Sequence, residues 1–360
     1  MKQKAIIPAI LFFALISCRK DDDFGLPDPT DYSFNYPGII SDYLPPVQSP
    51  ENNPITNEGV ELGRMLFFDE RLSGDNTQSC GSCHIPSASF SDTTAYSKGI
   101  DGMEGGRNAP PIINLGWMPE LFWDGRALGV ENQVFGPVVN PVEMHDAWSN
   151  VASKLQQDDQ YPALFEQVFG TGLIDSVLVS KAIAQFMRTL ISGNSPFDKY
   201  LQTGNSGWNS TDEQAAYEGF TIFMDETKGD CFHCHGDSFN PLWTDNKYHN
   251  NALDASFMDL GRGAITGDPA DYGKFKTPTL RNLAFTAPYM HDGRFNTLQE
   301  VINHYSSGLV NSPTIDPLMK HIGTGGSQMN PADKYKLFMF LVSLSDSSFV
   351  ANPAFQDPGE

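Results

Sequence analysis

A mainly α-helical chain folded as two related units is what this sequence predicts, and three observations predict it. Helix-start signals recur along its length, no stretch alternates apolar and polar residues as a half-buried strand would, and one segment of the first half returns in the second.

The chain opens Met1-Lys2-Gln3-Lys4, runs through an apolar stretch from Ala5 to Ile16 and reaches Cys18. That stretch is too short to span a bilayer and reads as an export signal. Leu15-Ile16-Ser17-Cys18 resembles a bacterial lipoprotein cleavage site, which makes 1–18 a signal peptide and Cys18 the lipidated first residue of the mature chain. The alternative is a buried cysteine inside an ordinary signal, but Arg19-Lys20-Asp21-Asp22-Asp23 follows at once and offers it no core. The chain is therefore expected to be an exported lipoprotein of the outer membrane, periplasmic or cell-surface, touching the membrane through its anchor alone.

Residues 19–54 are rich in Pro, Asp, Ser and Tyr without a sustained apolar period, and read as an acidic tether. Ile183, Phe186, Met187 and Leu190 form one face of a helix that ends before Ser195-Pro196. Ser210-Thr211-Asp212-Glu213 is a capping box opening a helix toward a cysteine cluster, and Thr297-Leu298-Gln299-Glu300 opens another that closes near Gly308. Asn330-Pro331 starts a last helix, with Leu337, Phe338, Phe340 and Leu341 facing the core. Long connections rich in Gly and Pro join these elements.

Aligning Pro110-Pro111-Ile112-Ile113-Asn114-Leu115 with Pro278-Thr279-Leu280-Arg281-Asn282-Leu283, and continuing without a gap, brings Trp123-Asp124-Gly125-Arg126 onto His291-Asp292-Gly293-Arg294. Each copy follows one cysteine cluster. A duplicated domain is implied, and 360 residues suit two domains. The expected division is 55–204 and 205–347, with the boundary between Tyr200 and Ser210 and a tail at 348–360.

The clusters are Cys80-Gly81-Ser82-Cys83-His84 and Cys231-Phe232-His233-Cys234-His235, both C-x-x-C-H. The spacing sets two thiols on one side of a helical turn, where they can add to the two vinyl groups of a haem while the next histidine binds its iron. Zinc and a redox dithiol are the alternatives. A zinc site would pool the four thiols or recruit nearby histidines, whereas each cluster here ends in its own histidine, in an exported and repeated chain. Two covalently bound c-type haems are expected, with His84 and His235 as axial ligands.

From Leu62-Gly63-Arg64 through Asp346 the chain resembles the bacterial dihaem cytochrome c peroxidases and their relatives, the MauG-type enzymes that oxidise protein side chains. The most specific segments are Ser79 to His84, Arg107-Asn108-Ala109-Pro110, Phe122 to Ala127, Gln133, Glu143-Met144, Lys276 to Asn282 and Ala287 to Gly293. The resemblance implies two packed cytochrome c-like domains, the first bearing a peroxidatic haem and the second an electron-transfer haem.

It implies roles residue by residue. The distal ligand of the second haem falls at Tyr305, where the peroxidases usually carry Met and MauG-type proteins Tyr. Neighbouring His304 is the competing ligand, and a core residue the plain alternative. Pro137 is the equivalent of Tyr305 in the first half, and proline cannot bind iron, so the first haem is expected to be open. The family's blocking loop histidine corresponds to Ile100, in Gly99-Ile100-Asp101-Gly102-Met103, and neither Ile100 nor Asp101 suits iron. Met103 is the one residue nearby that could contradict this. Glu143 takes the acid-base role and Gln133 holds a water or the peroxide, with Pro137 and Phe122 lining the pocket. Trp123 occupies the position between the haems, where an indole can relay electrons. Asn108, Thr286 and Pro288 match the residues of an interdomain calcium (Ca2+) site, the last two through their carbonyls. His291 keeps an open role, and His145, His249 and His321 read as surface or structural.

A net charge of −21 excludes nucleic acid and an anionic membrane surface as partners and suits a redox protein with a basic docking face, or solubility alone. The resemblance leaves room for a homodimer. The expected function is reduction of hydrogen peroxide to water with electrons from a reduced cytochrome c or similar donor. The rivals are MauG-like oxidation of a partner protein and a dihaem electron carrier.

Overall fold

The computed structural model describes residues 27–204 and 208–359. Cys18, the signal peptide and the first part of the expected tether lie outside the described residues, as do 205–207 at the expected boundary. The mainly α class is borne out: the described residues form fourteen α-helices and two antiparallel ladders of two-residue strands.

The first half is built on α1 (Gly38–Tyr43), α2 (Asn57–Phe67), α3 (Cys80–Cys83), α4 (Val130–Val139), α5 (Trp148–Gln156), α6 (Tyr161–Phe169) and α7 (Ser176–Thr189). Thr56 caps α2 by accepting the Gly59 N–H, and Asp175 caps α7 through the Leu178 N–H. Their apolar faces then meet. A Cβ at Gly63 would lie 1.9 Å from the Ala182 carbonyl oxygen, so α2 and α7 touch backbone to backbone and only glycine permits the crossing. Phe67, Phe90 and Phe186 interlock above this contact, with ring centroids 5.4 to 6.5 Å apart.

The second half uses α8 (Pro196–Thr203), α9 (Thr211–Phe223), α10 (Phe232–His235), α11 (Gly263–Thr266), α12 (Leu298–Ser307), α13 (Pro331–Ser343) and α14 (Ser347–Val350). The capping boxes at Ser210 and Thr297 form, and the Asn330 side chain caps α13. Here α9 crosses α13, and a Cβ at Gly219 would lie 1.9 Å from the Lys336 carbonyl oxygen. Phe197, Phe223, Trp243 and Phe340 fill the core around it.

Strands β1 (Glu120–Leu121) and β2 (Ala127–Leu128) bracket the turn that carries Trp123, and β3 (Tyr248–His249) pairs with β4 (Phe275–Lys276). Gly125 in that turn has φ 71°, and a Cβ there would strike the Tyr248 hydroxyl. Asp124 and Asp292 each accept the backbone N–H two residues on, at 3.2 Å, inside their Asp-Gly-Arg turns.

Three boundaries differ from expectation. Phe197 of α8 packs in the second core, so the division between the two cores falls between Leu190 and Phe197 rather than at 204. The sequence hid this because the break carries no charge run or disorder signal, only the Ser195-Pro196 cap. Residues from 27 onward do not hang free as a tether: Ile39 and Ile40 are 1% exposed, Asn53 is buried, and Trp117 Nε1 donates to Pro45 O at 2.8 Å. A lone apolar pair between prolines shows no period to read. Nor is α13 the last helix, since α14 follows it and Phe349 and Phe355 of the expected tail are buried in the first core.

The second half is braced by a buried ion pair. Arg281 and Asp198, both wholly buried, pair through Nη1–Oδ2 at 2.7 Å and Nη2–Oδ1 at 2.9 Å. Burial alone would raise the Asp198 carboxyl, but Arg281 and the Ser195 hydrogen bonds override it and hold it below the aspartate range. Its contribution to stability is thus present above that range and lost as pH falls through the lowered folded value. Asp198→Ala should cost about 3–5 kcal/mol by stranding the guanidinium, and should flatten the acid limb of stability in denaturant unfolding run across pH.

Candidate haem sites

The first motif occupies a single helical turn. Ser79 caps α3, with its N–H donated to Ser82 Oγ at 3.0 Å, and this places Cys80 and Cys83 on the turn with His84 at its C-cap. His84 Nδ1 lies 2.7 Å from Phe90 O; a carbonyl only accepts, so the proton sits on Nδ1 and Nε2 is left with its lone pair. Burial lowers the His84 pKa, keeping the imidazole neutral.

Helix α4 packs into the same core as Cys80 through Val130, Val134 and Val138. It carries Gln133, partly buried with no hydrogen-bond partner among the described residues, and Pro137 in its last turn. The chain then returns, with Met144 N donating to Pro137 O at 3.3 Å, which brings Glu143 back beside the motif. Burial raises the Glu143 carboxyl above its ordinary value, while a 2.6 Å hydrogen bond from Asn140 and the charge of Arg126 pull it partly back. Its charge in turn raises both Cys80 and Cys83, so it sits close to the two thiols. Arg126 lies over the Phe122 ring at 3.6 Å.

The loop from Gly99 to Met103 folds onto this segment. Ile100 N donates to Glu143 O at 3.0 Å, Asp101 Oδ2 pairs with His145 Nδ1 at 2.5 Å, and Met103 is 44% exposed. His145 thus has a structural partner.

The second motif lies on α10, which follows the Cys231 N–H hydrogen bond to Phe223 O. His235 Nδ1 is 3.3 Å from Trp243 O, and burial lowers its pKa to about 4. A cavity opens against it, lined by Cys231, Cys234, His235, Leu341, Met290 and Tyr305. Tyr305 and His304 separate here. Tyr305 faces the cavity with its hydroxyl accepting from Asn251 Nδ2 at 3.1 Å, whereas His304 Nε2 is 3.2 Å from Asn251 O, outside it. Burial alone pushes the Tyr305 phenol up to about 12, so a phenolate at neutral pH requires a cation beside it.

The same cavity reaches the interface. Trp123 lines it and donates Nε1–H to Asn108 O at 2.8 Å, and Asn108, Thr286 and Pro288 line it too. Asn108 Nδ2 donates to Thr94 O at 3.0 Å, which leaves its Oδ1 as the donor atom for a cation. His291 stacks on Phe275 at 3.7 Å and its carbonyl receives the Asn108 N–H at 2.8 Å, a scaffolding position. His249 is held between Asp245 at 2.9 Å and Asp316 at 2.5 Å, and His321 Nε2 is 2.9 Å from Glu226 O. The reading of the sequence gave no role to Asn251 or to Lys276. Lys276 is buried with its amine near Met118 Sδ at 3.7 Å, and burial lowers its pKa to about 8. A lysine inside a segment that must pack against Trp123 was the available signal.

The donor set fits haem. Burial, the leading cause, pushes the Cys80, Cys231 and Cys234 thiols up to about 12, which disfavours free thiolates and suits capped sulfurs. The four described cysteines are unpaired, each proximal imidazole is neutral and oriented, and Ser327 Oγ is an unpartnered buried hydroxyl against the second cavity. Among the described residues no three His, Cys, Asp or Glu side chains gather as a zinc site would require.

Comparison with known proteins agrees with this geometry. Residues 57–206 match the family model for di-haem cytochrome c peroxidase. The chain is 34% identical over 304 residues to the methylamine utilization protein MauG of Methylophilus methylotrophus, covering 83% of this chain and 85% of that protein. It is 36% identical over 261 residues to the cytochrome c551 peroxidase of Nitrosomonas europaea, covering 71% and 73%. Among solved structures, a MauG-like protein associated with microbial copper homeostasis superposes with a TM-score of 0.81 at 32% identity, over 91% of this chain and 100% of that one. With paired C-x-x-C-H turns, neutral oriented histidines and relatives matched over most of their length, the chain belongs to the di-haem cytochrome c peroxidase family and is a haem peroxidase of the oxidoreductase class, with two haem cofactors.

Proposed function

We propose that this protein reduces hydrogen peroxide at the haem of Cys80, Cys83 and His84, using electrons delivered by a cytochrome c-type donor through the haem of Cys231, Cys234 and His235. What supports the reading is an asymmetry in the repeat: the residue equivalent to Tyr305 is Pro137, which cannot bind iron, whereas Tyr305 lines the cavity of the second motif. We take the two halves as copies of one domain, since each sets a C-x-x-C-H turn beside a glycine-mediated helix crossing. Covalent attachment through the four thiols, a calcium ion at Asn108, Thr286 and Pro288, and export as a lipoprotein anchored at Cys18 belong to the same proposal.

Haem bound at the two motifs would supply iron that exchanges electrons with peroxide and with the donor. The chain supplies the rest. Peroxide reduction takes two electrons and two protons to give two waters, and its O–O bond breaks only if a proton moves from the near to the far oxygen. Glu143 is the group for that transfer: its carboxyl is desolvated, close to the thiols, and steadied by Asn140. The Gln133 amide orients the bound oxygen, and Pro137 and Phe122 exclude competing donors. Trp123, fixed to Asn108 O between the cores, is the aromatic group through which electrons pass.

A second reading has its own observation. Tyr305 is the residue of MauG-type enzymes, and a phenolate lowers the potential of the second haem relative to a thioether, suiting withdrawal of electrons from a partner's side chain rather than acceptance from a cytochrome. Steady peroxide-dependent turnover of reduced cytochrome c supports the first reading. Its absence, with oxidation of a partner protein in its place, supports the second.

The paramagnetic resonance spectrum of the oxidised holoprotein should contain one high-spin and one low-spin haem; two low-spin signals would overturn the open first site. Tyr305→Phe should convert the low-spin species to high-spin, and an unchanged spectrum would remove Tyr305 as ligand. Glu143→Gln should lower peroxide turnover by about 10²–10⁴-fold with both haems retained. Because the Glu143 carboxyl is raised and must be ionised to take the proton, wild-type activity should fall on the acid side with a midpoint above the ordinary glutamate range, a limb the Gln variant lacks.

A further inference from the structure

The geometry points to Asn282 as a positioning residue that fixes the proximal ligand of the first haem from within the second half of the molecule, by holding the turn whose carbonyl receives the His84 N–H. This rests on the reading that His84 binds iron.

The acceptor of His84, Phe90 O, is set by two consecutive residues in the left-handed region, Ser89 at φ 57° and Phe90 at φ 58°. Neither is glycine, and such residues persist only where their surroundings over-determine them. From the second half Asn282 Nδ2 donates to Ser89 Oγ at 2.8 Å, with both side chains fully buried, and this adds to the Ile112 N–H that Phe90 O also accepts at 3.2 Å and to the Phe349 ring packed on Phe90. The amide cannot be turned round. Its Oδ1 accepts the Asp346 N–H at 2.8 Å and the Ser192 hydroxyl at 3.3 Å, so Nδ2 must face Ser89. The asparagine's own N–H is tied to Leu344 O at 3.2 Å.

The same stretch of chain serves the other histidine. Two residues earlier, Leu280 N donates to Trp243 O at 3.2 Å, the carbonyl that also receives His235 Nδ1 at 3.3 Å. One short stretch, from Leu280 into the turn at Asn282, therefore bears on the acceptors of both proximal imidazoles. The sequence counterpart of Asn282 in the first half, Asn114, does not reach across: its amide exchanges hydrogen bonds with the backbone of Ser192 alone, at 3.0 and 3.1 Å. Coupling thus runs from the second half to the first iron. Its sign follows from the distances. The His84 bond at 2.7 Å is shorter than the His235 bond at 3.3 Å, which makes His84 the more electron-donating ligand and favours oxidised iron at the peroxidatic site.

The test uses the holoprotein with both haems attached, reading the iron–histidine stretch of the reduced first haem by resonance Raman and the potential of each haem by spectroelectrochemistry. Ser89→Ala removes only the hydroxyl that Asn282 grips. It should move the first haem's stretch to lower frequency and its potential to more positive values, with the second haem unchanged. Asn282→Ala should move the first haem's stretch and potential in the same senses as Ser89→Ala, and the double variant no further than Asn282→Ala alone. If Asn282→Ala fails to fold, Ser89→Ala decides by itself. An unshifted first haem in folded Ser89→Ala protein overturns the proposal, and so does an equal shift at both haems. Absence of any iron–histidine band from the first haem in the wild-type protein would instead remove His84 as ligand, and the proposal with it.

Discussion

Everything in this molecule is referred to two helix crossings at which backbone meets backbone. Where Gly63 lies on the Ala182 carbonyl and Gly219 on the Lys336 carbonyl, no side chain intervenes, so the distance between the helices is fixed by hard contact rather than by adaptable packing. The C-x-x-C-H turns are hung from these frames: Phe68, one residue beyond α2, packs under Gly81, and Phe223 at the end of α9 offers its carbonyl to Cys231. A rigid frame suits a site in which a ligand must stand at one distance from a metal.

The two sites differ less in their proximal sides than in what faces them. Each has a partly buried neutral histidine whose Nδ1 proton is committed to a main-chain oxygen. Near the first lies a carboxylate folded back toward the thiols; the second faces a partly buried phenol held by an amide. A shared frame thus carries unlike surroundings at its two motifs, and Trp123 lies in the cavity that joins the second to the seam between the cores.

Much of this was legible in the residues. The repeated C-x-x-C-H pattern, the capping boxes at Ser210 and Thr297 and the Asn330-Pro331 helix start are local codes, and local codes survive folding unaltered. What could not be read depends on partners distant in the chain. Arg281 finds Asp198, Asn282 finds Ser89, and Ile39 and Ile40 find a groove that exists only after the body has folded. Composition also misled: a stretch of prolines and aspartates resembles a linker whether or not two isoleucines in it are buried. His249 is held between two carboxylates, Asp245 and Asp316, and no metal-binding group of three such side chains forms among the described residues.

The return of Phe349 and Phe355 into the first core has a consequence for the order in which the molecule is made. A polypeptide is made from its amino end, so the first core must wait, incomplete, until the whole second core has appeared behind it. The first half is therefore sealed last, by the segment that also ties Arg64 to Gln356. Completion of the surroundings of the first C-x-x-C-H turn is in this way made conditional on synthesis of the second.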